Sequence, residues 1–494
     1  MSLITINKLN DVYIKVQTDP AIAQELNNHF SFEAPGARFH PKYRAKMWDG
    51  KIRLYHLLTG TIYVGLLNYV KHFAEVNQYS VEDNVNLTKD SLSLDDCNKF
   101  VGALNLSLPN NDTIRDYQLE SVYRGITEGR RLFLSPTGSG KSLIIYCLIR
   151  WHLLNKRRQL IIVPTTSLVE QMYSDFQSYS QNNGWKASYN CYRIYGTVEK
   201  SSDMPIVIST WQSLYKLPKP FFQNFDVIYG DECHLFQAKS LTGIMTKCTN
   251  TPFRYGTTGT LDGSKTNKLV LEGLFGPVYR TTTTKELINT NNLADLKIYA
   301  IVLQYPDQVK KDCKGLKYKD ELDFLVQMEA RNKFIRNLAL AQKGNSLVLF
   351  QLVEKQGKLL YDMILSKAGD RKIFFVYGGT DTEQRENIRQ ITEKEDDAII
   401  VASYGTFSTG INIRNLHNII FASPSKSRIR NLQSIGRGLR KGDNKTHCKL
   451  FDIGDDLTWK TRKNYTLYHM IERIKIYADE EFDYSFTKVP ISAI

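Results

Sequence analysis

The chain has no uninterrupted apolar run of about eighteen or more residues, the length a membrane-crossing helix needs, so no such helix is expected. Its opening, "MSLITINKLNDVYIKVQ", lacks a basic segment followed by a long apolar one and does not read as a signal peptide. Cysteine is sparse. The seven cysteines, at positions 97, 147, 191, 233, 248, 313 and 448, form no CxxC pair. That argues against a disulfide framework and a compact zinc site, and for a reducing, cytoplasmic compartment. Positive charge, by contrast, is in excess. The net +14 over 494 residues points to a polyanionic partner, most simply nucleic acid.

From about residue 130, short apolar runs alternate with helical patterns. "RRLFLS" (130–135), "QLIIVPT" (159–165), "MPIVIST" (204–210), "FDVIYGDE" (225–232) and "FRYGTTGT" (253–260) read as buried strands. A second series follows at 346–353, 372–379, 397–403, 418–424 and 448–455, with helical segments near 354–368 and 381–394. Strands alternating with helices imply parallel sheets covered on both faces, here as two α/β domains in tandem. The first 85 or so residues differ, with Pro-Gly, Asp-Gly and Thr-Gly turn signals between short alternating runs. The expected division is a small α+β domain over 1–85, a polar linker over 86–112, and two α/β domains over 113–285 and 286–494. The last of these ends in an amphipathic helix within "RKNYTLYHMIERIKIYADEEF".

"SPTGSGKS" (135–142) lies between a strand and a helix, as a phosphate loop requires. Thr137, Gly138, Ser139 and Gly140 would offer backbone N–H groups to phosphates at the positive end of the helix. Lys141 would pair with the β- and γ-phosphates of ATP, and the Ser142 hydroxyl would ligate Mg²⁺. The strict pattern has Gly where this chain has Ser135.

"YGDECHLF" (229–236) holds two acids, a thiol and an imidazole in succession. Alone it fits acid/base or metal chemistry, a thiol nucleophile or a zinc pair. The phosphate loop favours the first: Asp231 would hold Mg²⁺ and Glu232 would polarise the attacking water. Cys233 then reads as a small buried filler. "QSIGRGLRK" (433–441) places Arg437 and Arg440 at i, i+3 on one helical face beside Gln433, a set suited to charge developing on a transferring phosphoryl group.

"IRDYQLE", "SPTGSGKS", "PTTSLVEQ", "STWQSL", "DECH", "TGT", "ASYGTFSTGIN" and "QSIGRGLR" occur in this order over residues 114 to 441. Together they resemble the motifs of superfamily-two helicases, and the Glu-Cys-His sequence that of their DExH members. "FSFEAPGARFHPKYRAKMWDGKIRL" resembles the N-terminal domain of a family of bacteriophage recombination helicases. The resemblance implies two RecA-like domains and a DNA-dependent ATPase that remodels branched DNA by junction branch migration, fork regression and R-loop unwinding. It implies adenine contacts by Arg115 and Gln118, coupling by His234, Thr258 and Thr260, strand contacts by Thr165 and Thr409, and an ATP contact by Gly410. Asn412 stands where many relatives carry Asp, which bears on a ribose contact. It further implies action in a host cytoplasm, with RNA–DNA hybrids and single-strand-binding or recombination proteins as further partners.

Arg38, Lys42, Arg44, Lys46, Lys51 and Arg53 crowd one stretch, with Phe39, Tyr43, Trp48 and Tyr55 among them. Cations for phosphates and rings for bases suit a junction or single-strand surface, and a small aromatic core with solvated lysines is the alternative. Lys426, Arg428 and Arg430 form a second cationic patch. The motor motifs alone also admit an RNA helicase, a non-hydrolysing clamp or a restriction-type translocase.

Overall fold

The computed structural model describes residues 3–491 except 35, 109–111, 407–412, 414 and 440–444, and no side chain at 382 or 429. The chain falls into two compact units, Met1–Ser135 with Gly140–Thr281, and Pro136–Ser139 with Thr282–Ile494. The first unit opens with strands β1 (Leu3–Lys8), β2 (Tyr13–Gln17), β3 (Ser31–Glu33), β4 (Lys51–Arg53), β5 (Thr61–Tyr63) and β6 (Ser80–Asn84). Four of them form a mixed sheet ordered β5-β2-β1-β6, and β3 with β4 makes an antiparallel ribbon.

The first seven-stranded sheet comprises β7 (Arg130–Leu134), β8 (Gln159–Val163), β9 (Cys191–Ile194), β10 (Ile206–Thr210), β11 (Val227–Asp231), β12 (Phe253–Thr258) and β13 (Val278–Arg280). Every pairing is parallel, in the order β13-β7-β12-β11-β8-β10-β9. β8, β10, β11 and β12 are buried at every residue, which is why they read as continuous apolar runs and not as alternating ones. Two glycines interrupt them for a packing reason. Gly230 and Gly256 are register partners, and a Cβ at either would meet the Phe275 ring within 3.0 Å.

The second sheet comprises β14 (Asp295–Gln304), β15 (Ser346–Phe350), β16 (Ile373–Val376), β17 (Ile399–Ser403), β18 (Asn418–Phe421), β19 (His447–Asp456) and β20 (Tyr484–Pro490). It too is wholly parallel, ordered β16-β17-β15-β18-β19-β14-β20. The chain is thus two tandem RecA-like α/β domains with a small N-terminal α+β domain. Each sheet has two strands beyond the five read from sequence. β9 and β13 are short edge strands, β20 is exposed along nearly its whole length, and β14 is half alternating. β9, β13 and β20 lack the continuous apolar run that marks a central strand, whereas β14 carries one, Ile298–Leu303, and lies inside its sheet between β19 and β20.

The N-terminal sheet is not a loose appendage. Ile4, Ile6, Val64 and Leu66 share one apolar cluster with Leu132, Leu271 and Phe275 of the motor. Tyr69 donates to Glu272 at 2.6 Å, and a Cβ on Gly65 would overlap the Glu272 carbonyl. The polar stretch 86–112 contains the helix Leu94–Ala103, whose Cys97 and Val101 are buried in the core of the same unit.

That stretch also supplies Asp90, which accepts from both terminal nitrogens of Arg157 at 2.6 and 2.7 Å and from Trp151 Nε1 at 2.7 Å. Arg157 donates to His152 Nδ1 at 3.0 Å, so the neutral imidazole carries its proton on Nε2 and donates it to the Tyr255 hydroxyl. Burial, with Arg157 adjacent, pushes the imidazole down to about 3. The unfolded chain therefore binds the extra proton first. Stability present above pH 6.5 declines as pH falls from about 6.5 towards 3, by an amount on the order of a few kcal/mol for this group. His152→Phe, assayed by urea unfolding between pH 7 and 4, should flatten that part of the pH dependence.

All seven cysteines are free thiols, and Cys313 alone is not buried. Among the described residues no helix is long and apolar enough to cross a membrane.

Candidate ATP-hydrolysis site

The strand order of the first sheet assembles the site. β12 lies between β7 and β11, so the phosphate loop after β7, the Thr-Gly-Thr segment at the end of β12 and the acids at the end of β11 emerge side by side at the carboxyl edge. The register pairs Asp231 with Thr257, and Thr258 with Leu134. This is the edge at which parallel α/β sheets bind ligands.

Gly138 and Gly140 have φ of +85° and +83°, a left-handed backbone that only glycine adopts without strain. Gly140 caps the helix Lys141–Leu154, and a Cβ there would lie 2.3 Å from Gln118 Nε2. Gln118 therefore presses directly on the phosphate loop, while its Oε1 accepts from the Arg115 amide at 3.0 Å. The Arg115 guanidinium donates to the Tyr117 hydroxyl at 3.1 Å. Lys141 Nζ donates to the Ser135 carbonyl at 3.1 Å, and Ser142 Oγ hydrogen-bonds the Tyr179 hydroxyl at 2.8 Å.

Asp231 is 9% exposed and accepts from Thr257 Oγ1 at 2.8 Å. Burial, then the adjacent Glu232, raises its carboxyl to about 6 against the opposing pull of Lys141. Glu232 has φ +49°, ψ +48°, a conformation costing a non-glycine residue about 1–2 kcal/mol. The kink ends β11 and takes Glu232 out of the strand's alternation. His234 Nδ1 lies 3.3 Å from Glu232 Oε2 and 2.9 Å from Thr258 Oγ1, and Thr258 donates to the Thr260 carbonyl at 3.0 Å. Glu232, His234, Thr258 and Thr260 thus form one chain of contacts from the acid to the end of β12.

Cys233 is fully buried against Gly256, and burial beside two carboxylates pushes its thiol far up. That is the opposite of an activated nucleophile. Among the described residues no group of three or more His, Cys, Asp and Glu is placed to hold a metal ion. Thr257 and Tyr179 are the residues that motif reading passed over. Only register and the helix path bring them to Asp231 and Ser142.

In the second unit, Gln433 and Arg437 lie on the helix Arg428–Gly438, both half-buried. Thr409, Gly410, Asn412 and Arg440 lie outside the described residues. The helix is approached through residues 422–425, whose carbonyls are held from both faces of β19. Asp452 and Asp455 are three apart and so point to opposite faces. Arg473 binds Asp452 Oδ1 at 2.7 Å and donates to the Ser425 carbonyl at 3.0 Å. Arg331 binds Asp455 Oδ1 at 2.8 Å and donates to the Ala422 carbonyl, also at 2.8 Å. Tyr477 and Tyr305 hydroxyls complete the two carboxylates at 2.7 and 2.6 Å.

The expected nucleic-acid residues separate into different settings. Arg38, Lys42, Arg44, Lys46, Lys51 and Arg53 are all exposed, as are the Phe39 and Tyr43 rings. Tyr55 belongs instead to the N-terminal core, at 1% exposure. Arg53 is paired with Asp49, whose carboxyl it holds down to about 2. Thr165 is half-buried and caps the helix Thr166–Tyr179 by accepting from the Leu168 amide. Arg428 bridges Asp479 and Glu480 at 2.8 and 2.9 Å, so within the second patch it is tied to the chain's own carboxylates.

Three family models match the chain: the N-terminal domain of the DNA helicase UvsW over residues 4–83, the res subunit of type III restriction enzymes over 111–263, and the helicase conserved C-terminal domain over 329–442. The ATP-dependent DNA helicase uvsW of Enterobacteria phage T4 is 37% identical over 496 aligned residues, spanning 96% of each chain. The DNA 3'-5' translocase XPB2 of Sulfurisphaera tokodaii is 25% identical, over 67% of this chain and 79% of its own. The crystal structure of T4 UvsW superposes with a TM-score of 0.52 at 34% identity, covering 99% of both chains.

Proposed function

The chain belongs to the UvsW helicase family, an ATP-hydrolysing family, and from that premise we propose that it is a DNA motor that remodels branched substrates. Junction branch migration, fork regression and R-loop unwinding are the reactions assigned to it, in the cytoplasm of an infected host. One observation carries the substrate assignment. The exposed cationic segment 38–53 belongs to a domain whose core is continuous with that of the ATP-binding unit, so it is rigidly mounted on the motor.

Residues 1–85 are assigned to DNA contact, 86–112 to the connection, and 113–285 and 286–494 to the two motor domains. In the ATP site, Lys141 and the loop amides of 137–140 bind the phosphates, and Arg115 and Gln118 hold the adenine side. The Glu232 carboxylate takes the proton of the attacking water, and Gln433, Arg437 and Arg440 are assigned to the charge on the phosphoryl group. Thr409 is assigned to the strand and Gly410 to ATP. His234, Thr258 and Thr260 relay the state of Glu232 to β12. The donors Ser142 and Asp231 are hard oxygens, and a buried carboxylate raised by burial gains from a cation beside it, so the pair suits Mg²⁺. When bound, that ion neutralises charge on the phosphate oxygens.

The test compares stimulation of ATP hydrolysis, and strand displacement, by Holliday junctions, forked DNA, linear duplex and structured RNA. Junctions and forks should stimulate most strongly. Charge reversal at Arg38, Lys42 and Arg44 should remove that preference while leaving hydrolysis without DNA intact. Equal stimulation by linear duplex, or stronger stimulation by RNA, overturns the assignment. Substitution is the better instrument here than removal of residues 1–85, which would uncover Leu271 and Phe275.

A further inference from the structure

Two segments of the second unit that no motor motif contains face one another across a cavity of about 220 Å³. One is "KKDCKGLKYK" (310–319), with five lysines and one acid; the other is "TWKTRKNYTLY" (458–468), with three cations and no acid. Lys314 lies on one wall, Arg462 and Lys463 on the other, and all three are exposed. The rings at the rim are Trp459, half-buried, and Tyr465 and Tyr468, 44% and 53% exposed.

The arrangement is built, not incidental. Glu321, 3% exposed, accepts from the Tyr465 amide at 3.0 Å and from the Thr466 amide, the Thr466 hydroxyl and Asn464 Nδ2 at 2.8–2.9 Å. The helix following the lysine-rich segment thereby supplies the anion that caps the helix Tyr465–Asp479. Asn464 Oδ1 accepts from the Leu457 amide at 3.0 Å, closing the intervening turn. Both walls are fixed to one buried carboxylate.

We propose that this cleft is a second nucleic-acid site, taking a single strand or the unpaired end of a branch. Its cations meet phosphates and its exposed rings stack on bases. A hollow of about 220 Å³ has room for a nucleotide or so and not for a duplex, and a solvated surface has no need of three aromatic rings around a cationic hollow. The inference rests on the nucleic-acid reading given above.

The test uses the full chain and oligo-dT as the probe. Lys314→Glu, Arg462→Glu and Lys463→Glu combined should weaken binding at least about tenfold. They should also lower the slope of log affinity against log salt by about 2, at roughly 0.7 per lost phosphate contact. Hydrolysis without DNA and the melting temperature should not move. Independently, oligo-dT should quench less tryptophan fluorescence in Trp459→Phe than in the unmodified chain. If the unmodified chain binds oligo-dT and both variants behave identically to it, the second site is wrong while the motor assignment stands. If the unmodified chain binds no nucleic acid at all, both fall.

Discussion

Glu232→Gln leaves a chain that binds ATP and hydrolyses it about a hundred- to ten-thousandfold more slowly, the range that loss of a positioned general base produces. Size and shape are conserved, so the kinked backbone at Glu232 and the contact of His234 with Thr258 persist. The amide cannot take the proton from water. Lys141→Ala is the informative contrast, because it removes the cation proposed to bind the phosphates and should lose binding together with turnover. Equilibrium binding of a fluorescent ATP analogue, measured beside single-turnover hydrolysis, separates the two. A Glu232→Gln chain that turns over normally removes Glu232 from the chemistry.

Arg473→Met should destabilise the second unit by about 3–5 kcal/mol, the cost of leaving a buried carboxylate without its partner. Arg473 and Asp452 are both 0% exposed, and Asp452 would retain only the Tyr477 hydroxyl of the side-chain donors described above. The double variant Asp452→Leu with Arg473→Met carries no stranded charge and should recover most of that stability, since well-packed apolar replacements of buried ion pairs are often neutral. It does not restore the hydrogen bond to the Ser425 carbonyl. Stability recovered with hydrolysis still depressed would place the pair's value in holding the approach to the helix Arg428–Gly438. Urea unfolding of the single and double variants, with hydrolysis measured on each, reads both quantities.

Much of the motor was legible because its signals are local. Continuous apolar runs between helical patterns read as buried parallel strands, and Gly-Ser-Gly-Lys-Ser between a strand and a helix has few other uses. β20 escaped for the same reason in reverse: it is exposed nearly throughout, so no burial pattern is written into "YSFTKVP". The polar stretch 86–112 reads as a linker because its anchoring group is Asp90, and the partners that make a carboxylate structural, Arg157 and Trp151, are about sixty residues away.

The sequence by itself determined the chemistry on offer: a phosphate loop, an acid pair at a strand end, and an excess of cations. Tertiary structure decided how the neighbours in "YGDECHLF" are placed. Strand order sets β12 between the loop and the acids, the turn at Glu232 lifts that residue from the strand, and close packing on Gly256 seals Cys233 away from any reaction. Spacing along a chain records what a residue can do, whereas burial, register and partner distance depend on segments far away in sequence and exist only once the sheet has formed.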